Sequence, residues 1–198
     1  MSRTTQLDAI NEVLSLVGMS TVVSLDDPTR QDTIAAEQTL QEVLKHIGTQ
    51  NSYYNTVVDV EFFTDSEGFI YVTDDVYDVE YLNSTQQVVL KGDRIYNLTK
   101  KTFVWDAASV DFQVTYFLTF TDLPEVVKRY VISATASRLY LKLFGASTQL
   151  NYLIGEEKLT YDIMQRWEFD AMDANVLAHP EVVRIWGSPR RGGNRNRR

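Results

Sequence analysis

The sequence predicts an α+β protein: a four-helix body, with two N-terminal and two C-terminal helices, an inserted antiparallel β region and an extended C-terminal arm. Three observations carry that reading. Apolar residues recur at helical spacing near both ends of the chain, the period falls to two in the middle, and the last residues are Gly, Asn and Arg. The expected division is a discontinuous body over 1–52 and 122–176, a β region over 53–121, and an arm over 177–198.

The first helix is expected from Thr5 to Val17, because Leu7, Ile10, Leu14 and Val17 fall on one face. Thr5 with Asp8 forms a capping-box pattern, and Gly18 suits the stop. Val22, Val23 and Leu25 then look extended. Asp27-Pro28 is a start signal for the second helix, with Asp as cap and Pro in the first turn. That helix runs to about His46, stopped by Gly48, with Ala36, Leu40, Val43, Leu44 and Ile47 as its apolar stripe.

From Tyr53 to Phe120 the pattern is that of strands. Val58, Val60 and Phe62 alternate with Asp59 and Glu61, and the turn cluster 64–68 leads into a strand over Phe69–Val72, which makes a hairpin. A second hairpin is expected over Gln87–Leu90 and Arg94–Asn97 around Gly92-Asp93. The clearest strand is Val110 to Phe120, with Val110, Phe112, Val114, Tyr116, Leu118 and Phe120 on one face. Helical spacing returns after Leu123-Pro124. Val127, Val131, Ala134, Leu141 and Phe144 form the third stripe, ended by Gly145. Ser147 can cap a fourth helix to about Asn175, with Leu150, Ile154, Tyr161, Met164 and Ala171 facing inward.

At 198 residues, 44% of them hydrophobic, the chain can bury a core without cross-links. It has no cysteine, which excludes disulfides and thiolate chemistry and fits a reducing compartment. No apolar run approaches the ~18 residues of a membrane span, and the first residues lack the apolar core of a secretion signal. The net charge of −8 hides an asymmetry. Residues 182–198 hold Arg184, Arg190, Arg191, Arg195, Arg197 and Arg198 and no acid, a segment of +6. The 13 other basic residues face all 27 acidic ones, so the rest of the chain carries −14. Two surfaces with unlike partners are implied, and only the arm can attract phosphate.

Signatures of chemistry are missing. There is no phosphate-cradling Gly-rich motif and no nucleophile elbow, and the two histidines, His46 and His179, lie far apart. His46 falls near the end of the second helix, where a cation suits the dipole; His179 precedes Pro180. The best acidic cluster is Asp74, Asp75, Asp78 and Glu80. It has oxygens for Ca²⁺ or Mg²⁺, but the spacing is not that of an EF-hand, and a solvated acidic loop is the better reading. Aromatic residues crowd the β region among acidic neighbours, which disfavours base stacking. They read as sheet core, with subunit contact as the alternative. The arm has three readings: solvated chain, docking on a neighbouring protein, or contact with nucleic-acid phosphate. Ile185-Trp186 beside the arginines favours docking, because exposed arginine pairs add only about 0–1 kcal/mol each and an apolar anchor must carry the rest.

Three segments resemble the tail tubular protein A family, the adaptor ring of short-tailed bacteriophages. They are Ala9–Gly18 with Val23-Ser24-Leu25; Leu40–Leu44 through Tyr53-Tyr54-Asn55; and Leu123-Pro124-Glu125, Arg129-Tyr130, Ala136-Ser137-Arg138 and Phe144-Gly145-Ala146. The resemblance implies a usually twelvefold ring between portal and tail nozzle, with DNA passing through the lumen and tail fibres as further neighbours. It implies a virion tail protein made in the bacterial cytoplasm, with no cofactor, metal or catalytic residue. It marks Asn11, Gly18, Pro124, Arg138 and Gly145 as fold and packing positions and an extended strand after the first helix. Met19-Ser20-Thr21 departs from the family's proline-bearing turn, and the ending from Gly192 has no counterpart. The reading of another class is a nucleic-acid-binding module acting through the arginine-rich arm.

Overall fold

The computed structural model describes residues 3–26, 30–50, 52–81 and 86–178, with side chains to 172. Among the described residues four helices and five strands follow one another as α1 (Gln6–Val17), α2 (Gln31–Gly48), β1 (Thr56–Phe63), β2 (Val76–Glu80), β3 (Val88–Lys91), β4 (Arg94–Asn97), β5 (Ser109–Tyr116), α3 (Glu125–Phe144) and α4 (Thr148–Ala178). A short 3₁₀ turn over Phe120–Asp122 precedes α3.

The start of α1 is fixed by a reciprocal cap. The Asp8 N–H donates to the Thr5 hydroxyl at 3.2 Å, and the Thr5 N–H donates to the Asp8 carboxylate at 3.0 Å. The Thr5 hydroxyl also donates to that carboxylate at 2.7 Å, and this bond, then the backbone one, holds the Asp8 carboxyl below its usual range. At the other end Gly18 takes φ +83, which returns its N–H to Ser15 and that of Met19 to Leu14. That is the paired C-terminal closure that glycine permits without strain. Residues 22–25 form no strand, contrary to the expectation. Instead the Asn11 amide pairs with the backbone of Val22 in both directions, donating at 2.9 Å and accepting at 2.7 Å. One side chain does the work of a neighbouring strand, and Val23 is left exposed.

Helix α2 begins at Gln31, later than Asp27-Pro28 indicated, and residues 27–29 lie outside the described residues. Its expected stripe is buried in full. Helix α3 packs against α1, α2 and α4. Ile10, Leu14, Leu40, Val127, Val131 and Leu139 sit at the centre of that core. Lys128 is buried there too. Its charge is met by Glu125 at 2.9 Å and the Thr4 carbonyl at 3.2 Å, with the Phe120 ring beside it. A buried ammonium is tolerated only with such partners. The stripe of α3 is right over Val127, Val131 and Ala134 but fails at Leu141 and Phe144, which are 53% and 55% exposed. The helix outruns the core there.

The β region has its own core of Phe112, Trp105, Ile70, Ile95, Val110 and Val114, with Phe62 and Tyr81 packed against it. Three rings meet Phe112 edge-on or tilted at 5.5–5.9 Å. Its main sheet has the order β1-β5-β2, all antiparallel. Asp59 takes φ +58 at a register break between Val57 and Val60. This bulge turns Val58 outward, so the expected alternation holds only for Val60 and Phe62.

The turn at 64–68 forms, with Gly68 at φ +82 and its carbonyl accepting from Trp105. Phe69–Val72 does not become a strand, however. Only Tyr71 bridges, to Arg94, and β1 pairs with β5 instead. The β3–β4 hairpin is as the sequence indicates, with Val89 opposite Tyr96 and Gly92 at φ +66. Strand β5 stops at Tyr116. Leu118 and Phe120 continue the alternation in sequence but join the helical core, not the sheet.

Two linkers join the helical core to the β region, and Asn55 ties them. Its side chain donates to Gly48 and Gln50 carbonyls and accepts from Ser52, while its carbonyl accepts from Tyr116 at 2.8 Å. The Phe117 ring lies over Gly48, where a Cβ would come within 2.6 Å of it.

Candidate assembly surfaces

The five positions that the resemblance marks lie at element ends and on helices α1 and α3. Asn11 clips Val22, Gly18 closes α1, and Pro124 leads into α3 with its carbonyl accepting from Lys128 at 2.9 Å. Gly145 ends α3 at φ +73, and its N–H returns to Leu141. Arg138 is half-buried on α3 and lowers the pKa of Tyr130, against the larger upward push of burial.

The acidic cluster is not a loop throughout, because Asp78 and Glu80 lie on β2. Glu80 accepts from the Gln113 amide at 3.2 Å. Among the described residues no three His, Asp or Glu side chains gather as a metal would require. His46 stands exposed in the last turn of α2. His179 and the arm residues Arg184, Ile185, Trp186, Arg190, Arg191, Arg195, Arg197 and Arg198 lie outside the described residues. No helix of the described residues is long and apolar enough to cross a membrane.

The most informative surface is on α4, and the sequence reading misplaced it. Ile154 and Tyr161, expected inside, are exposed. The inner side consists of Leu150, Leu153, Thr160 and Met164. Two polar contacts lock it to α3: Ser133 with Thr160 at 2.5 Å, and the Ser137 hydroxyl donating to Glu157. The outer side carries two apolar seams. Tyr152, Leu159 and Ile163 follow the i, i+7, i+11 spacing of one stripe. Ile154, Tyr161 and Met172 mark a second about 180° away around the helix, with Phe169 beside it. Tyr152 is 72% exposed, although an isolated body has no reason to align such residues.

The second seam borders two cavities. Ile154 and Tyr161, with His46, Gln50, Tyr130, Glu157 and Lys158, line an open depression of about 420 Å³. Tyr161, Phe169 and Met172, with Gln50, Ser52 and Glu168, enclose about 350 Å³. Burial raises the Tyr130 phenol, with Glu157 adding to the shift, so it stays a neutral donor at neutral pH. The neighbouring Tyr54 is pushed up to about 12 by burial. These walls suit protein contact.

The signal for these seams was present in the sequence. Tyr152, Leu159 and Ile163 have helical spacing, but so do the inner residues, and a helix apolar on several sides gives no single stripe to choose. No curated protein matches the chain. The sequence model of the family described as Tail tubular protein matches residues 7–173, from α1 to the last turns of α4. Helical ends, inserted strands and outward apolar seams thus come together in one chain, which belongs to the tail tubular protein family.

Proposed function

We propose that this structural protein of the phage tail is a subunit of the adaptor ring that joins the portal to the tail nozzle. The observation that carries this reading is the pair of apolar seams on opposite sides of α4. A ring is built from head-to-tail contacts, and each subunit must offer two unlike patches that meet by rotation. A helix with an inner face and two outer seams supplies them. The resemblance noted above supports a ring of twelve such subunits.

In this reading the helical body over 1–52 and 122–176 faces the portal. The β region over 53–121 reaches toward a neighbour or the nozzle, and the arm over 177–198 grips an adjacent chain. The lumen forms part of the ejection channel. The −14 charge of residues 1–181 supports that use, because an acidic wall repels phosphate and lets a duplex slide without sequence-specific binding. The subunit has no catalytic role. Electron microscopy and native mass of the chain mixed with its portal test the reading. A closed ring seated on the portal is expected; a chain that stays monomeric and never binds the portal overturns it.

A further inference from the structure

The β region over 53–121 holds eleven acidic residues and four basic ones, Lys91, Arg94, Lys100 and Lys101, and the fold separates the two signs. The β1-β5-β2 sheet and the β3–β4 hairpin bury their inner sides in one core, where Phe112 and Val114 of β5 meet Ile95 and Trp105. Side chains alternate along a strand, so the residues between core positions point away from that core. On β5 these include Asp111 and Gln113. Glu61 of β1 lies opposite Asp111, and Glu80 of β2 lies opposite Gln113. The outer face of the sheet is therefore acidic, and Phe63, 69% exposed and two residues along from Glu61, adds an apolar side chain to it. On the hairpin Lys91 lies opposite Arg94, one step from Leu90 and the buried Ile95. The outer face of the hairpin is therefore basic. The two faces look away from a shared core on opposite sides, so they cannot meet within one chain.

Each face sets like charges directly opposite one another, Glu61 with Asp111 and Lys91 with Arg94. Such pairs cost a lone subunit stability. Relief within the chain is partial. Asp65, Glu67, Asp93 and Asp106 flank the basic face, but the Asp65 carboxylate is taken up by its own turn, accepting from the Glu67 and Phe69 N–H groups. Asp93 stands 4.0 Å from Arg94, and Asp106 stands 3.1 Å from Lys100. Among the described residues no carboxylate pairs with Lys91 or Lys101, and no cation pairs with Glu61 or Asp111. Aromatic rings hold the basic pair in place. The Lys91 ammonium lies 3.4 Å over Tyr96 and the Arg94 guanidinium 4.6 Å over Phe103, and these two rings touch at 4.8 Å. Cations placed in advance lose little freedom on docking.

We propose that the acidic outer face of the β1-β5-β2 sheet in one copy receives the basic outer face of the β3–β4 hairpin of the next copy. The inference rests on the ring reading and commits the β region to a neighbouring subunit. Unlike faces on opposite sides of one unit repeat the same contact from copy to copy, as a head-to-tail ring requires. The paired charges fix its register and exclude like faces from meeting.

Two full-length chains test the contact on the portal. One carries Glu61→Lys with Asp111→Lys and the other Lys91→Glu with Arg94→Glu, so that each reverses the like-charged pair of one face. Native mass should show no ring from either chain alone, at a concentration where the unaltered chain forms one. Mixing the two in equal amounts should restore rings, because each reversed face then meets its complement on an alternating neighbour. Should a reversed chain fail to fold by circular dichroism, Glu61→Gln with Asp111→Asn gives the reading. Loss of the like-charged pair should make the lone subunit more heat-stable, while assembly should need at least tenfold more chain. Rings from either reversed chain alone, or assembly of the neutral variant at an unchanged concentration, overturn the face pairing while the ring stands. So does an equal mixture of folded chains that forms no ring, which would give the acidic face to another cation such as the arm. Absence of a ring from the unaltered chain overturns both readings.

Discussion

Met164 and Tyr152 belong to the same helix, yet one is 1% exposed and the other 72%. The inner side of α4, with Leu150, Leu153 and Met164, completes the body. The outer side repeats apolar residues at the same spacing, and among the described residues much of their surface is left uncovered. Stability accounts for the first side and not for the second. Exposed apolar side chains gain nothing for a lone subunit, and a contiguous patch marks a contact with another molecule. The comparison separates two demands that a helix of a structural tail protein meets at once: to fold, and to be covered.

The comparison breaks most visibly on the inner side. Met164→Ala removes a buried side chain where α3 and α4 meet, and should lower unfolding stability by about 2–5 kcal/mol in urea titration. A loss below about 1 kcal/mol would mean that α4 is not part of the cooperative body. A smaller cost is expected at the clip between α1 and the loop after it. Asn11→Ala deletes both bonds to Val22 and should cost about 1–3 kcal/mol, with faster amide exchange at Val22 as its local mark. If Val22 exchanges no faster, the clip does not hold the loop.

A weaker effect is expected from pH. Hydrogen bonding from Thr4, then Lys128, holds the Glu125 carboxyl below its ordinary value of 4.5. A group whose folded pKa is lowered adds stability above its unfolded pKa and loses it as pH falls through the folded one. The Glu125 contribution is therefore intact at neutral pH and fades below about 4.5. Glu125→Gln should flatten the stability profile in that acid range and leave its remaining slope to other carboxylates. An unchanged profile would show that the contact is too solvent-screened to matter.

On the outer side the effect on folding should be smallest. Leu159→Asp with Ile163→Asp should move stability by no more than about 0.5 kcal/mol per site, since both residues face solvent in the lone subunit. A large loss would place them in the fold and collapse the distinction between the two sides.

Local chemistry was readable from the chain where one residue decides one geometry. Thr5 with Asp8 set a helix start, Gly18 a stop, and Gly92-Asp93 a hairpin turn. Readings failed where a choice depended on distant partners. The residues that face inward on α4 cannot be chosen by period when Leu153, Ile154, Leu159 and Tyr161 all fit a helix. Alternation from Val110 to Phe120 hid the point where the chain leaves the sheet and enters the helical core. The bulge at Asp59 needs a non-glycine residue at positive φ, which sequence rarely signals. Val22 looked like a strand, and the structure satisfies its backbone with a side chain instead. The family resemblance rested on the helical ends, where packing fixes many residues. The seams stayed hidden because they are defined by what the body leaves uncovered.

The most direct test of the central claim is the mass of the assembly that the outer seam is meant to build. Native mass of the chain with its portal, compared with the Leu159→Asp, Ile163→Asp variant, reads that seam alone. A ring from the unaltered chain and only monomers from the equally stable variant is the predicted result. Rings of the same mass from both would contradict it.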